Sequence, residues 1–286
     1  MCTFVTIFSK KKADLAQISD FMRLEGKTIW ITGASSGIGA ALAIESAKKG
    51  ASLILSARRK EKLEAVKNQC LSHTNEVMVL PMDIADEKSI QSAWQILDTE
   101  GRQIDILINN GGVSQRAFAA ETETHVVRRI MEVNFFGAVS LTRLVMPGMI
   151  ERRSGAVIVI GSLSGKFGWK MRSTYAASKF ALQGYFESLR AEVAEYGIEV
   201  LIAVPGRIKT DISLSAVTND GGTYNQMDAA QKGGIPAEQC ASVILKALEN
   251  GKKEVVIARM ERLMIAIRFL IPGLYYRIAA KRDPNI

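Results

Sequence analysis

The chain has 286 residues, of which 48% are hydrophobic and 23% are charged, and its formal net charge is +8. This composition supplies enough apolar side chains for a sizeable core and excludes an intrinsically disordered protein. The three cysteines are far apart without a CxxC pair and there are only two histidines, which argues against a disulfide framework, a metal site or a histidine-based catalytic triad. A reducing, cytoplasmic setting is therefore expected.

The positive charge is concentrated near the C-terminus. Residues 252–286 carry eight lysine or arginine residues against three acids, and residues 1–27 add a smaller excess. The body between them is close to neutral and has no basic stripe interleaved with aromatic residues. Binding to nucleic acid is therefore not expected.

Short apolar runs rich in valine and isoleucine alternate with longer amphipathic segments, which is typical of strands and helices in a parallel sheet. Seven strands are predicted, over Thr28 to Thr32, Ser52 to Ser56, Glu76 to Leu80, Ile104 to Asn109, Ala156 to Gly161, Glu199 to Val204 and Glu254 to Ile257. Helices are predicted over Gly37 to Lys49, Lys60 to Cys70, Asp86 to Glu100, Glu123 to Arg152, Tyr175 to Tyr196 and Pro236 to Asn250. With right-handed crossovers this order gives an α/β fold with a doubly wound, parallel, seven-stranded Rossmann sheet and a C-terminal helical extension.

Three regions are predicted along the chain. Residues 1–26 form an N-terminal extension, 27–258 a single catalytic domain without an internal linker, and 259–286 a basic, apolar helical tail. The apolar run of the tail is interrupted by Arg268 and is shorter than the 20 or so residues that span a bilayer. The tail could contact an anionic membrane surface, cover the site or form a subunit interface.

A glycine-rich turn follows the first predicted strand. Residues Thr32 to Gly39 read Thr-Gly-Ala-Ser-Ser-Gly-Ile-Gly, and a helical segment comes directly after them. Strand, turn and helix in this order present backbone N–H groups and a helix N-terminus to a pyrophosphate. The segment therefore predicts dinucleotide binding.

Tyr175 and Lys179 lie four residues apart in a segment that reads Tyr-Ala-Ala-Ser-Lys. On a helix both side chains project from one face, one turn apart. A nearby cation stabilises phenolate over phenol, so the pair predicts a tyrosine that exchanges protons near neutral pH. Alone, the spacing fits a chance pairing on a helix equally well.

With both motifs present, the chain resembles the short-chain dehydrogenase/reductase family from about residue 27 to about residue 254. The family's NNAG segment matches Asn109 to Gly112, where Gly111 replaces alanine and still lets the backbone approach a cofactor. The active-site asparagine matches Asn134, the catalytic serine matches Ser162, and the PGxxxT segment matches Pro205 to Thr210.

The resemblance implies hydride transfer between a nicotinamide cofactor and a carbonyl carbon. Tyr175 is then the general acid, and Lys179 assists it and binds the nicotinamide ribose. Ser162 holds the carbonyl oxygen, and Asn134 anchors a water that links the lysine to solvent. The alternative for Ser162 is an ordinary polar loop residue without a catalytic role. The alternative for Asn134 is an ordinary polar residue inside a helix. A sensor or scaffold protein that binds NADPH without turnover is a second class of function.

The cofactor is predicted to be NADP(H). Enzymes that select NAD place an acid after the second strand, whereas this chain has Ala57 there, followed by Arg58, a planar cation suited to a 2′-phosphate. Arg59 is expected to begin a solvated helix. The full set of predicted cofactor residues is Gly33, Ser35, Ser36, Gly37, Ile38, Gly39, Arg58, Asp83, Ile84, Asn110, Gly111, Gly112, Tyr175, Lys179, Pro205, Gly206, Ile208 and Thr210.

The substrate is expected to be a small-molecule ketone or alcohol. Residues 207–235 are predicted to form a lid with glycine pairs as hinges, and an apolar pocket lined by Leu214, Val217, Tyr224 and Met227. This segment is similar to the branch of membrane-associated lipid and sterol reductases, so a bulky apolar ketone is favoured over a short polar carbonyl compound. The resemblance also implies a homodimer or homotetramer.

Overall fold

The structure is a computed structural model that describes residues 22–281. Its strands are β1 (Thr28–Thr32), β2 (Ser52–Ser56), β3 (Val77–Val79), β4 (Ile106–Asn109), β5 (Gly155–Ile160), β6 (Ile198–Pro205), β7 (Ile208–Lys209), β8 (Ile235–Pro236) and β9 (Glu254–Ile257). Seven of them form one parallel sheet in the order β3-β2-β1-β4-β5-β6-β9, and β7 pairs with β8 separately. The predicted doubly wound α/β fold is confirmed.

Helices cover both faces of this sheet. They are α1 (Gly37–Ala47), α2 (Lys60–Cys70), α3 (Glu87–Thr99), α4 (Thr124–Met131), α5 (Gly137–Arg152), α6 (Ser173–Val193), α7 (Ala229–Lys232), α8 (Ala237–Glu249), α9 (Leu263–Leu270) and α10 (Pro272–Lys281). One face packs against α1, α2 and α8, and the other against α3, α5 and α6. All six residues of β5, Gly-Ala-Val-Ile-Val-Ile, are buried, as expected for a strand covered on both faces.

The long predicted helix from Glu123 to Arg152 is interrupted. A π-turn over Glu132–Phe136 separates α4 from α5, and Asn134 lies within it. Within residues 22–281, the stretch Thr124–Arg152 is the one helical segment long and apolar enough to cross a membrane. Its side chains Leu141 and Val145 pack against the sheet, which is the behaviour of a core helix.

The two ends of the described chain contact the body. Leu24 is buried and the Gly26 nitrogen donates to the Gly50 carbonyl oxygen at 3.0 Å. At the other end, the Tyr275 hydroxyl donates to the Gly168 carbonyl oxygen at 2.6 Å. Residues 1–21 of the predicted N-terminal extension and residues 282–286 of the predicted tail lie outside the described residues.

Candidate active site

The glycine turn after β1 is fastened to the end of β4 by Asn110. The Asn110 Nδ2 donates to the carbonyl oxygens of Thr32 at 2.9 Å and Gly33 at 3.2 Å. The Thr32 Oγ1 accepts in turn from the backbone nitrogens of Asn110 and Gly111, each at 3.0 Å. A Cβ at Gly39 would lie 2.3 Å from the Gly33 carbonyl oxygen, so the turn requires glycine there. These contacts hold the turn in one shape.

The N-terminus of α1 is open at this turn. Ser36 is its N-cap residue, but the serine side chain makes no capping hydrogen bond. The first N–H groups of α1 therefore keep donors for an anionic ligand, and the helix dipole favours negative charge at the same place. Ile38, one residue inside the helix, packs against the core and fixes the direction of α1. This end of the sheet fits the pyrophosphate of a dinucleotide.

Both arginines after β2 are exposed, and one of them reaches the glycine turn. The Arg59 Nη2 donates to the Ser35 Oγ at 3.3 Å, while Arg58 lies one residue earlier. Arg59 is exposed and is the N-cap residue of α2, as expected, and its side chain also contacts the turn that follows β1. The Arg59 guanidinium therefore lies beside Ser35.

Gly111, where the family motif has alanine, lies against Ile84. A Cβ at Gly111 would be 2.5 Å from the Ile84 Cδ1, so the isoleucine side chain occupies the space that a methyl group would need. The Ile84 carbonyl oxygen in turn would lie 2.2 Å from a Cβ at Gly137. Glycine at 137 therefore lets α5 approach the segment that begins with Asp83.

The N-terminal cap of α3 comes from Asp86, which accepts from the Lys88 nitrogen at 3.0 Å.

Asn134 in the π-turn holds the segment after β4 against α6. Its Oδ1 accepts from the Val113 nitrogen at 2.8 Å, and its Nδ2 donates to the Val113 carbonyl oxygen and the Ser178 Oγ, both at 2.9 Å. Gly112 lies between two predicted catalytic groups. A Cβ there would be 3.2 Å from the Asn134 Oδ1 and 3.7 Å from the Lys179 Nζ. The structure thus brings Asn134 and Lys179 together around Gly112.

Tyr175 and Lys179 are adjacent on α6, with the lysine Nζ 5.9 Å from the centre of the tyrosine ring. Both side chains are buried, and the Nζ donates to the Ile160 carbonyl oxygen at 2.8 Å at the end of β5. Burial lowers the pKa of Lys179 to about 8, because desolvation disfavours the ammonium form. This lysine therefore changes its charge close to physiological pH.

Ser162 follows β5 at the same sheet edge. Its Oγ accepts from the Ser164 nitrogen at 3.1 Å and so caps the short 3-10 turn Leu163–Gly165. That turn packs closely on α6, since a Cβ at Gly165 would lie 2.8 Å from the Lys179 carbonyl oxygen. The hydroxyl hydrogen of Ser162 keeps its capacity to donate to a ligand.

Gln115 was not singled out by its sequence context, yet it fixes the start of α6. Its Oε1 accepts from the backbone nitrogens of Thr174 at 2.8 Å and Tyr175 at 3.2 Å. These N–H groups belong to the second and third residues of the helix, whose N-cap residue Arg172 makes no side-chain cap. A buried amide from a distant segment replaces the local cap. Sequence patterns that predict helix caps consider residues next to the helix start, so they could not predict a cap from Gln115.

The segment after β6 closes the other side of the glycine turn. Pro205 ends β6, and the Cγ2 of Thr210 would lie 3.1 Å from a Cβ at Gly37, so this threonine contacts the first residue of α1. Ile208 is buried in β7. A Cβ at Gly206 would be 2.8 Å from the Glu261 Oε1, so the segment also touches the C-terminal region.

The predicted lid is anchored more firmly than the sequence indicated. Val217 is buried with Val126 and Ile130, so its assignment to the pocket lining is wrong: it packs in a small core cluster under α4. Its nitrogen donates to the Ser114 carbonyl oxygen at 2.9 Å. Leu214 and Tyr224 are half-buried and Met227 is exposed, and their place in the pocket lining stays a prediction.

The fold and the site geometry fit a dinucleotide-binding protein of the Rossmann type, and comparison with known proteins gives the family. The family model described as short chain dehydrogenase matches residues 27–220. The chain belongs to the short-chain dehydrogenase/reductase family of oxidoreductases, whose members use NAD(P)H, act on small-molecule substrates and are commonly oligomeric.

Relatives are similar over most of their length. The Dehydrogenase/reductase SDR family protein 7-like of Anopheles gambiae is 44% identical over 270 residues, covering 92% of this chain and 85% of that protein. The Dehydrogenase/reductase SDR family member 7B of Bos taurus is 42% identical over 260 residues, covering 88% and 80%. A short-chain dehydrogenase structure from Streptomyces avermitilis aligns with a TM-score of 0.76 at 27% identity, covering 90% of this chain and 96% of that one.

Proposed function

We propose that this protein interconverts a ketone and a secondary alcohol with NADP(H) as the hydride carrier. The observation that carries the proposal is the buried pair of Tyr175 and Lys179, which lies at the same sheet edge as the open N-terminus of α1. A proton donor beside a site for the dinucleotide is what carbonyl reduction requires, because charge develops on the oxygen as hydride reaches the carbon.

Each polar group has a role in this chemistry. Tyr175 gives its hydroxyl proton to the carbonyl oxygen, and the Lys179 ammonium stabilises the phenolate that remains. Ser162 donates a hydrogen bond to the same oxygen. The Oδ1 of Asn134 keeps one lone pair after accepting from Val113, which suits the predicted water beside Lys179. The bound nicotinamide supplies the hydride.

The preference for NADP(H) is supported by the residues after β2. Ala57 stands where an acid would repel a 2′-phosphate. The Arg59 guanidinium donates to Ser35, and Arg58 is exposed one residue earlier. A phosphate monoester accepts bidentate hydrogen bonds from such planar groups. The cofactor is therefore NADP(H) in this proposal.

We further propose that the substrate is a bulky apolar ketone and that α9 and α10 rest on a membrane surface. These helices and the turn before them expose a set of large apolar side chains: Met260, Leu263, Phe269, Leu270, Ile271, Leu274 and Tyr276. Five cations accompany them, namely Arg259, Arg262, Arg268, Arg277 and Lys281. Apolar and cationic side chains together favour binding to an anionic interface.

Subunit pairing belongs to the same proposal. Phe136 and Phe180 are both nearly half exposed, on the π-turn and on α6 respectively, and Val127 of α4 is also exposed. Apolar side chains on these helices are suited to a homodimer or homotetramer interface.

The experiment that tests the function is turnover by purified protein with NADPH and a panel of apolar ketones. NADPH oxidation should match alcohol formation one for one, and NADH should support a lower kcat/KM. A protein that binds NADPH tightly but reduces no ketone of the panel would instead support the sensor or scaffold function.

A further inference from the structure

A buried cluster of charged side chains lies beside Tyr175 and takes no part in the proton transfer described above. Arg172 precedes Tyr175 by three residues, Arg116 follows β4, and Asp228 precedes α7. The side chains of Arg116 and Asp228 are 1% and 7% exposed, whereas that of Arg172 is 26% exposed. The three groups therefore join the start of α6 to the predicted lid.

Arg116 makes four side-chain hydrogen bonds within the protein. Its Nε and Nη2 donate to the two carboxylate oxygens of Asp228, and its Nη1 donates to the Ser114 Oγ at 3.0 Å and the Gln115 carbonyl oxygen at 2.6 Å. The guanidinium also lies 5.8 Å from the centre of the Tyr224 ring. These contacts give Arg116 a structural role, which is to hold Asp228 and the lid segment in place.

Arg172 is engaged differently. Its Nη2 donates to the Asp228 Oδ2 at 3.2 Å, and within the described residues this carboxylate is the acceptor that its side chain reaches. A guanidinium carries five N–H donors in a planar fork. Most of the donors of Arg172 therefore remain available to a ligand, and its partial exposure leaves a path to them.

The charges of the cluster do not balance. The two guanidinium groups of Arg116 and Arg172 share the single carboxylate of Asp228. Burial and the neighbouring arginines lower the pKa of Arg172 to about 10, whereas its interaction with Tyr175 raises that pKa. The guanidinium and the phenol thus share one electrostatic environment.

An excess positive charge that is mostly withdrawn from water is unfavourable unless an anion offsets it. Building on the proposed ketone reduction, we propose that Arg172 binds an anionic group, a carboxylate or a phosphate, that the substrate carries near its reactive carbonyl. The fork of Arg172 binds the two oxygens of that group, and Asp228 holds the fork in position. The substrate is then an amphiphile: an apolar chain, a ketone close to Tyr175, and an anionic end at Arg172.

The test compares matched ketones on one enzyme preparation. The probes are medium-chain oxo acids with the ketone at several distances from the carboxylate, their neutral methyl esters, and an oxoalkyl phosphate with its neutral dimethyl ester. For at least one position, the wild-type kcat/KM should favour the anion over its ester by about 10- to 100-fold, the range of a charge-assisted hydrogen-bonded pair. Preference for the acid or for the phosphate tells which anion is bound.

Variants assign the preference to Arg172. The anion-to-ester ratio should fall to about one in Arg172→Gln and stay partly raised in Arg172→Lys. Because both substrates are measured on the same enzyme, a loss of folded protein cancels from this ratio. Lys170→Gln removes an exposed charge two residues away and should keep the wild-type ratio.

The outcomes separate the two proposals. Esters reduced as well as anions by the wild type, or a preference that survives in Arg172→Gln, would overturn the anion site and leave ketone reduction standing. A panel in which neither anions nor esters are reduced would remove the proposed function and the anion site together.

Discussion

Lys179 is the residue on which the proposed chemistry depends most, and its burial has two consequences. A buried ammonium group destabilises the folded state, and below about pH 8 Lys179 is charged in the folded protein. Between that pH and the lysine's ordinary pKa of 10.5, the unfolded chain binds more protons than the folded one, so this residue makes the free energy of unfolding rise with pH. In the proposed chemistry, this destabilising charge is needed because it stabilises the phenolate form of Tyr175.

The pH profile of ketone reduction should reflect this lysine. The charged form assists Tyr175, and the fraction charged falls once the pH exceeds about 8. We expect kcat/KM for reduction to decline above that pH, and Lys179→Met to lower kcat/KM by about 100-fold or more at neutral pH. Steady-state rates measured across the pH range check this. A profile that stays flat far above pH 8 would argue against the role of Lys179.

The two arginines after β2 should select the cofactor together. Arg58→Ala and Arg59→Ala should each weaken NADPH binding by about 10- to 100-fold, because each removes a charged donor to the 2′-phosphate. NADH binding should change little, and Lys62→Ala, an exposed charge further along α2, should change neither. Fluorescence titrations with both nucleotides measure this. Equal losses for NADPH and NADH would refute the phosphate role.

At the scale of elements, α6 carries Tyr175 and Lys179, and distant segments fix where this helix begins. Gln115 caps its first turn, and Asn134 in the π-turn holds Ser178 one turn further on. The spacing of Tyr175 and Lys179 predicted a shared helix face because that relation is local. The cap and the π-turn depend on residues dozens of positions away, so no local pattern could predict them.

Replacing Gln115 tests the importance of this cap. Gln115→Leu leaves two buried N–H groups without an acceptor and should lower the free energy of unfolding by about 1–3 kcal/mol. It should also lower kcat, because the first turn of α6 positions Tyr175. Gln115→Glu keeps the acceptors and should be less destabilising. Urea unfolding and kinetics measure both effects.

A control separates the cap from the other bond of this glutamine. The Gln115 Nε2 donates to the Thr122 Oγ1 at 3.1 Å, so Thr122→Val removes that contact and spares α6. Its effect on kcat should be small. If Gln115→Leu were as stable and active as the wild type, the cap would have no energetic role.

At the scale of the whole molecule, the sequence predicts the sheet well because buried parallel strands are apolar runs that flanking turns delimit. The candidate site residues follow from motifs, and the structure collects them at one sheet edge. Side-chain contacts across the molecule were beyond sequence reasoning. Arg59 reaches Ser35, Val217 packs under α4, and Tyr275 of α10 bonds Gly168.

The bond of Tyr275 fastens α10 to the loop before α6 and leaves the other face of the tail exposed. A double variant, Phe269→Ser with Leu270→Ser, should weaken binding to anionic vesicles by about 30-fold or more, since each buried apolar side chain contributes about 1.5–3 kcal/mol. Neutral vesicles should bind the wild type more weakly than anionic ones. Vesicle co-sedimentation measures both.

Exposed apolar residues elsewhere provide the matched control. Leu71→Ser with Ile96→Ser changes two exposed apolar side chains outside the tail: Leu71 directly follows α2 and Ile96 lies on α3. This variant should bind vesicles like the wild type. A wild type that stays in the supernatant, or a control that loses binding equally, would exclude membrane contact through the tail.

The most direct measurement removes a single hydroxyl group. Tyr175→Phe keeps the buried ring beside Lys179, so NADPH should bind with a Kd within about threefold of the wild type, while ketone turnover falls by at least about 100-fold. Nucleotide titration and single-turnover kinetics on the same preparation give both values. A variant that binds NADPH normally and keeps most of the wild-type turnover would contradict the assignment of Tyr175 as the proton donor.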